Sequence, residues 1–541
     1  MPGIMSTPLP WPSRAVARST RAMVVSPHPL ATAAGVAVLA RGGNAVDAAI
    51  AANAVLAVVY PASCGLGGDA LWMVHDPVPR PTLERRTTCY NGTGRTPRAA
   101  SLDRLGGELP ARGALTVTVP GAVRSWEDVA RAHGTRGLDE LLLPAEQLAH
   151  NGFAVTDVVA AYFALNEALL REDAEATRIF FRDGVPRAGD VLRNPDLAAT
   201  LQAIRRGGAD AFYAGSTAEA IVATLRPHGN AMTLDDLATH RTERAAPLAL
   251  AWNGGELLAH PPNSQGAVLL LAEGMLAGDA ELDEPAWAHV AIEAMKRALT
   301  IRDERIADPA YGGPVLDGEL DRERLLTQRA RIDPERAVAR TGRTDGGDTI
   351  AICVVDEDGM AVTLIESLYM NFGSGIVAGG TGVVLHNRGA CFSLRPGHPN
   401  AYDGGKRPVS TLSPAMFLRD GEPEIVFGTM GGDAQPQIQA QVLHQLVDRG
   451  LDVQRAIDAP RWVYGRPLVA GRPELRSDAV LVESRTPRDV VDALERRGHE
   501  VIALGPYENA MGHGHAIVVD PVRGTLAGGA DPRADSLALG L

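Results

Sequence analysis

Gly346-Gly347-Asp348-Thr349-Ile350-Ala351-Ile352-Cys353-Val354-Val355-Asp356 is the stretch on which the fold turns. From Ile350 to Val355 every residue is apolar and most are β-branched, the composition of a buried strand. A flexible glycine pair and an aspartate precede it, so Thr349 heads the strand beside a place where the chain can be cut. Were the bond before Thr349 broken, one residue would carry both a hydroxyl nucleophile and an α-amine. Such an amine titrates near ~8, so it takes the hydroxyl proton at neutral pH without a histidine or carboxylate partner. The same residue also fits a plain β-branched strand position. Its neighbours have to decide.

Downstream, short Val/Ile-rich runs at Ala361–Glu366, Gly382–His386, Ala415–Arg419 and Ile425–Gly428 read as strands. Glu357-Asp358-Gly359 is a hairpin turn signal between the first two. Helical spacing follows at Gln435–Arg449, Val453–Asp458 and Pro487–Arg497, and strands close the chain at Val501–Leu504, His515–Asp520 and Thr525–Ala527.

Upstream, Leu30–Arg41 is a helix stopped by Gly42-Gly43. Asn44 caps a second helix, Ala45–Val58, which is apolar all round and therefore buried. Cys64-Gly65-Leu66-Gly67-Gly68 turns into a strand, Ala70–His75. That glycine loop lacks the Gly-Lys-Ser/Thr ending of a phosphate cradle and reads as a place where backbones pack closely. Helices are expected at Trp126–His133, Leu138–His150 and Val155–Leu170. Residues 171–322 read as short helices alternating with Gly/Pro loops, and 322–347 as an exposed, arginine-rich linker open to scission. Helices flanking a block of strands predict a layered helix–sheet–sheet–helix body.

The motifs that follow Thr349 occur in a telling order: Ser367 and Tyr369; Asn371-Phe372-Gly373-Ser374-Gly375; Asn387-Arg388-Gly389-Ala390-Cys391-Phe392-Ser393; Lys406 to Pro414 with Ser410-Thr411; and Gly428-Thr429-Met430-Gly431-Gly432-Asp433. With Ser26 to Ala31, Gly42 to Ala49 and Gly529 to Arg533, this order resembles the γ-glutamyltranspeptidase family of N-terminal-nucleophile hydrolases over nearly the whole chain. The resemblance implies an α+β fold, a four-layer αββα sandwich. It further implies scission between Asp348 and Thr349 into a heavy chain, 1–348, and a light chain, 349–541, that stay associated. Thr349 would then be nucleophile and base, Ser367 would orient it, and the Gly431 and Gly432 amides would stabilise the oxyanion. Donors of that kind contribute about 3–4 kcal/mol each. Ser410 and Thr411 match a substrate-contacting pair. No metal or organic cofactor is implied.

The departures narrow the substrate. Tyr369 stands where bacterial transpeptidases have an asparagine, and Arg388 where a glutamine is common. Cys391 takes the place of an aspartate that grips a substrate ammonium, and a thiol cannot make that charge-assisted bond. Arg95, in Asn91-Gly92-Thr93-Gly94-Arg95-Thr96-Pro97, is shifted from the family's carboxylate clamp. An arginine retained without the ammonium-binding carboxylate suits a small amide bearing a carboxylate, and the motifs look most like the oxamate amidohydrolase branch. Arg388 and Arg95 become the candidates for its carboxylate. The other readings are a glutathione hydrolase or γ-glutamyltransferase, a cephalosporin-type acylase, and an uncleaved, inactive scaffold.

Bulk properties set limits. The 541 residues suggest roughly three or four domain-sized units. A formal charge of −13 argues against a nucleic-acid partner. No run of about 18 apolar residues predicts a membrane span. Residues 1–23 show no stretch of signal-peptide length, which leads to an expected cytoplasmic location. Cys64, Cys89, Cys353 and Cys391 are dispersed and read as small buried hydrophobes in a reducing compartment. His513-Gly514-His515 is the nearest approach to a metal site. Homo-oligomerisation is left open.

Overall fold

Two seven-stranded antiparallel sheets stack at the centre of the protein. They are seen in a computed structural model that describes residues 14–78, 85–311, 316, 318–340, 347–465 and 478–541. The first sheet runs in the order Leu537–Gly540, Met23–Ser26, Asp348–Val355, Ala361–Tyr369, Asp69–His75, Thr87–Gly92 and Glu243–Ala245. The second runs Ala17–Ser19, Thr525–Ala530, Gly514–Asp520, Glu422–Thr429, Ala415–Arg419, Gly255–Ala259 and Leu248–Trp252. Each sheet takes strands from both sides of position 348. The two parts of the chain therefore share one core instead of forming the separate units that length suggests.

Period-two alternation explains why the Thr349 strand is apolar throughout. Ile350, Ile352 and Val354 face a helical layer that contains Ala45–Val59, all fifteen residues of which are buried. Ala351, Cys353 and Val355 face the second sheet and meet Leu412, Met416, Val426 and Ile517. A one-residue slip would exchange these faces. Burial of each such Ile or Val is worth about 1.5–3 kcal/mol, so the register is firmly held. On the far side, Gly266–Leu276, Glu284–Arg305 and Gln435–Leu443 cover the second sheet. The layers are helix, sheet, sheet, helix, as expected.

Local signals hold well near the first helices. The Asn44 side chain accepts from the Asp47 N–H and Asp47 reaches back to the Asn44 N–H, a full capping box. Gly67 sits so close to the strand Val383–Val384 that a Cβ would lie 2.1 Å from the Val384 carbonyl oxygen, so close packing is the role of that loop.

Several expectations need correction. The described part of residues 171–322 holds a 22-residue helix, Glu284–Arg305, and four strands, with Leu248–Trp252 and Gly255–Ala259 joined at Asn253-Gly254. Both turn residues have positive φ, the geometry an Asn-Gly hairpin favours. The supposed linker contains a helix, Arg322–Arg329, and residues 341–346, including Gly346, lie outside the described residues. Val155–Leu170 divides into Asp157–Leu165 and Glu167–Arg171, and Gln435–Arg449 ends in a π-helical turn, His444–Asp448. Of Gly382–His386 only Val383–Val384 is strand. Among the described residues no helix is long and apolar enough to cross a membrane.

Candidate active site

Strand alternation sends the Thr349 side chain toward the space between the sheets and the Asp348 side chain toward the helices. Thr349 is 1% exposed. Its Oγ1–H donates to Ser367 Oγ at 3.2 Å. Ser367 Oγ–H in turn donates to the Asp348 carbonyl oxygen at 2.6 Å, and Ser367 Oγ accepts from the Tyr369 N–H at 2.7 Å. One continuous chain of hydrogen bonds therefore runs from the Thr349 hydroxyl to the carbonyl of the peptide bond just before it.

Gly431 and Gly432 stand beside this point, since a Cβ on Gly347 would lie 3.4 Å from the Gly432 Cα. They begin the turn Gly432–Ala434 that leads into the helix Gln435–Leu443. Amides at the head of a helical turn have no partner within it and favour negative charge. Both glycines have positive φ, +138° and +56°. Gln265 Nε2 holds the loop by donating to the carbonyls of Gly432 at 2.9 Å and Thr411 at 2.8 Å. Gln265 Oε1 accepts from Arg302, which also pairs with Asp433. Gln435, a residue that sequence reasoning passed over although it lies in the same glycine-rich run, places Nε2 3.5 Å from Thr349 Oγ1 and accepts from the Ser413 N–H.

Arg388 is completely buried on a short helical turn, Arg388–Cys391. Its Nη1 donates to Thr411 Oγ1 at 2.9 Å, and its guanidinium lies 4.7 Å from the centre of the Tyr369 ring. Nε and Nη2 make no hydrogen bond among the described residues. Nε faces Asp69 Oδ2 at 3.7 Å, and His386 Nδ1 faces the same oxygen at 3.4 Å. A buried guanidinium with donors to spare is suited to an anionic group.

A cavity of about 720 Å³ opens next to these residues, lined in part by Tyr369, Cys391, Thr411, Asp433, Asp303 and Phe392. Thr349, Arg388 and Ser410 are set behind that wall. Ser410 carries backbone bonds, its N–H to the Asn263 carbonyl and its carbonyl to the Gln265 N–H. Arg95 goes elsewhere. The adjacent Gly94 N–H bonds Asp69, but the Arg95 side chain turns away to Asp308 and Glu243 and lines a separate cavity of about 500 Å³. Two carboxylates already engage the second candidate for a carboxylate clamp.

His513 and His515 belong to no ligand set among the described residues. Among the described residues the group with metal-like spacing is His289, Glu293 and His499. His289 and His499 are hydrogen-bonded to each other and Glu293 accepts from Lys296, so these ligand atoms are already engaged within the protein. None of the four cysteines is in a disulfide, and three are buried.

Known proteins resemble this chain over nearly its whole length. Residues 31–541 match the family model described as Gamma-glutamyltranspeptidase. The chain is 40% identical to the glutathione hydrolase-like YwrD proenzyme of Bacillus subtilis, over 96% of this chain and 99% of that one. It is 37% identical to the oxamate amidohydrolase proenzyme of Klebsiella pneumoniae, again over 96% and 99%. The cephalosporin acylase from Bacillus halodurans superposes with a TM-score of 0.90 at 34% identity, covering 100% of this chain and 99% of that one. With the layered fold, the ordered motifs and near-complete coverage in agreement, the chain belongs to the γ-glutamyltranspeptidase family.

Proposed function

We propose that this protein is a self-processing amidohydrolase that acts on an amide bearing a carboxylate. The observation that carries the reading is the hydrogen-bond chain from Thr349 Oγ1 through Ser367 to the Asp348 carbonyl, beside the Gly431-Gly432 amides. In the precursor, Thr349 Oγ attacks that carbonyl and displaces the Thr349 nitrogen, and hydrolysis of the resulting ester divides the chain into 1–348 and 349–541. The new α-amine of Thr349 then serves as base. Attack on the substrate amide gives an acyl ester on Thr349, with the oxyanion held by the Gly431 and Gly432 N–H groups. The amine or ammonia departs, and water releases the acid.

Arg388 is the group we assign to the substrate carboxylate, with Thr411 and Tyr369 fixing its guanidinium. Cys391 in the cavity wall offers no charge to an ammonium group, which favours substrates other than γ-glutamyl compounds. Two of the relatives support proenzyme processing by their names, and one acts on oxamate by its name. One specific observation favours a second reading. About 720 Å³ is room for a drug-sized ligand, far more than oxamate fills, so a larger carboxyacyl amide of the kind a cephalosporin acylase cleaves is the alternative.

Ammonia or amine release measured side by side from oxamate, a glutaryl amide and a γ-glutamyl amide tests the assignment. Turnover of the first or second and not the third is expected. Efficient cleavage of glutathione would overturn it. Arg388→Lys keeps the charge and loses the planar fork. For the carboxylate substrate, kcat/KM is expected to fall about 10- to 100-fold, the worth of one charge-assisted hydrogen bond. Cleavage of a carboxylate-free amide should change little.

A further inference from the structure

We propose that the Asp348 side chain is the acid of self-processing, protonating the Thr349 nitrogen as the Asp348–Thr349 bond breaks. The inference rests on the reading of Thr349 as the nucleophile of that step. Cutting a peptide by an internal hydroxyl has two proton requirements. The attacking oxygen must lose a proton, and the departing nitrogen must gain one, because an amide anion does not leave. The Ser367 relay answers the first requirement and does not touch the nitrogen.

The atom in contact with that nitrogen is Asp348 Oδ1, which accepts the Thr349 N–H at 2.9 Å. Asp348 is 3% exposed, and the polar groups near its carboxyl besides that N–H are the uncharged hydroxyls of Ser63 and Tyr162. A carboxylate at such depth without a cation beside it is costly, whereas a carboxylic acid there needs no counter-charge. The strand register sends Thr349 Oγ to the inter-sheet face and the Asp348 carboxyl to the helical face. Nucleophile and acid therefore approach one peptide from opposite sides.

The surroundings favour the acid form. Burial pushes the Asp348 carboxyl up to about 6, against the opposing effect of the Thr349 N–H and the hydroxyls of Ser63 and Tyr162. The titratable groups that face it are Tyr60, Tyr162 and Cys64, and burial raises all three well above their ordinary values, so they are neutral. No arginine or lysine among the described residues stabilises the carboxylate.

The shift from peptide to ester balances within the chain, and water is the co-reactant of the hydrolysis that follows. The Thr349 hydroxyl proton passes to Ser367, and Ser367 hands its own to the Asp348 carbonyl oxygen as the Oγ–C bond forms. The C–N bond then breaks while the carboxyl proton moves to nitrogen. As the ester C=O re-forms, the proton on its oxygen returns to the carboxylate. The products are an ester between Asp348 and Thr349 Oγ, and a free Thr349 amine; water then hydrolyses the ester, leaving the Asp348 carboxylate and the Thr349 hydroxyl on two separate chains.

The test uses full-length chain from cell-free translation, chased in buffers from pH 5 to 8 and sampled on denaturing gels. The wild-type scission rate should be level below about pH 6 and fall about tenfold per unit above it, as the acid form is lost. Asp348→Asn keeps the shape and the acceptor but has no acidic proton. It should cut about 10²- to 10⁴-fold more slowly, with no fall above pH 6, and Asp348→Glu should recover part of the rate. Scission by Asp348→Asn within tenfold of wild type would overturn the proposal. A wild-type rate that rises or stays level from pH 5 to 8 would do the same, and that measurement needs no variant to fold. Thr349→Ala runs in the same series. If it is cut at this bond, the nucleophile assignment fails; if it stays whole while Asp348→Asn cuts normally, only the acid assignment fails.

Discussion

Thr349→Ala should give a single full-length band on a denaturing gel and no amide hydrolysis above background. The wild-type chain should give two fragments, the smaller beginning at Thr349 by N-terminal sequencing. The expected loss is complete because one residue supplies three things: the attacking oxygen in processing, the attacking oxygen in turnover, and the amine that acts as base. Alanine removes the first two directly and prevents the third from forming. The fold should be unaffected, since the hydroxyl contributes only the 3.2 Å bond to Ser367 and a long contact to Gln435. An unchanged far-ultraviolet spectrum and an unchanged melting transition would separate this result from misfolding. Residual hydrolysis by a Thr349→Ala protein would exclude the proposed mechanism.

Asp531→Ala should be the most damaging change away from the reacting atoms, lowering stability by about 3–5 kcal/mol. Asp531 is fully buried and accepts from Arg461 at 2.7 Å, Arg533 at 3.1 Å and the Gly514 N–H at 2.6 Å. Burial pushes its carboxyl upward, but Arg461 and Arg533 outweigh this and hold it well below the ordinary carboxylate range. A group with its pKa lowered on folding contributes stability throughout the neutral range and loses it only as pH falls through the folded value. Alanine leaves Arg461 buried without its carboxylate. That arginine also binds the Met511 and Gly512 carbonyls, and Gly512 packs beside Gly431. Activity should therefore fall along with the denaturant midpoint. Glu422→Ala, which breaks the exposed pair with Arg86, is the control and should cost under about 1 kcal/mol. Equal effects from the two variants would contradict the argument.

Much of the fold was legible because local chemistry and tertiary demand agree. The capping box at Asn44, the stop at Gly42 and the apolar strand after Thr349 each follow from side-chain chemistry within a few residues. The hairpin Leu248–Ala259 was missed although Asn253-Gly254 marks it, because its strands mix Leu and Ala with Trp252 and Glu256 and lack a clear alternation. The long helix Glu284–Arg305 escaped because it is buried on more than one side, so no clean polar face marks its period. Strands such as Met23–Ser26 and Leu537–Gly540 are four residues each and become strands by joining the sheet edge beside Asp348–Val355.

For the site, the order of residues supplies the chemical types: a threonine after Gly-Asp, a serine eighteen residues later, a glycine pair before a helix, and Cys391 without a carboxylate. Tertiary structure alone decided where their atoms point. Arg388 and Arg95 are equivalent as letters, yet burial leaves Arg388 with unused donors beside Thr411, while Asp308 and Glu243 claim Arg95. Asp348 reads in the sequence only as the residue before a cut. Its depth beneath Tyr60 and Tyr162, and the contact of its carboxyl with the Thr349 nitrogen, arise from strand register and helix packing. Charge, desolvation and direction depend on neighbours hundreds of residues away, and those exist only once the sheets have closed.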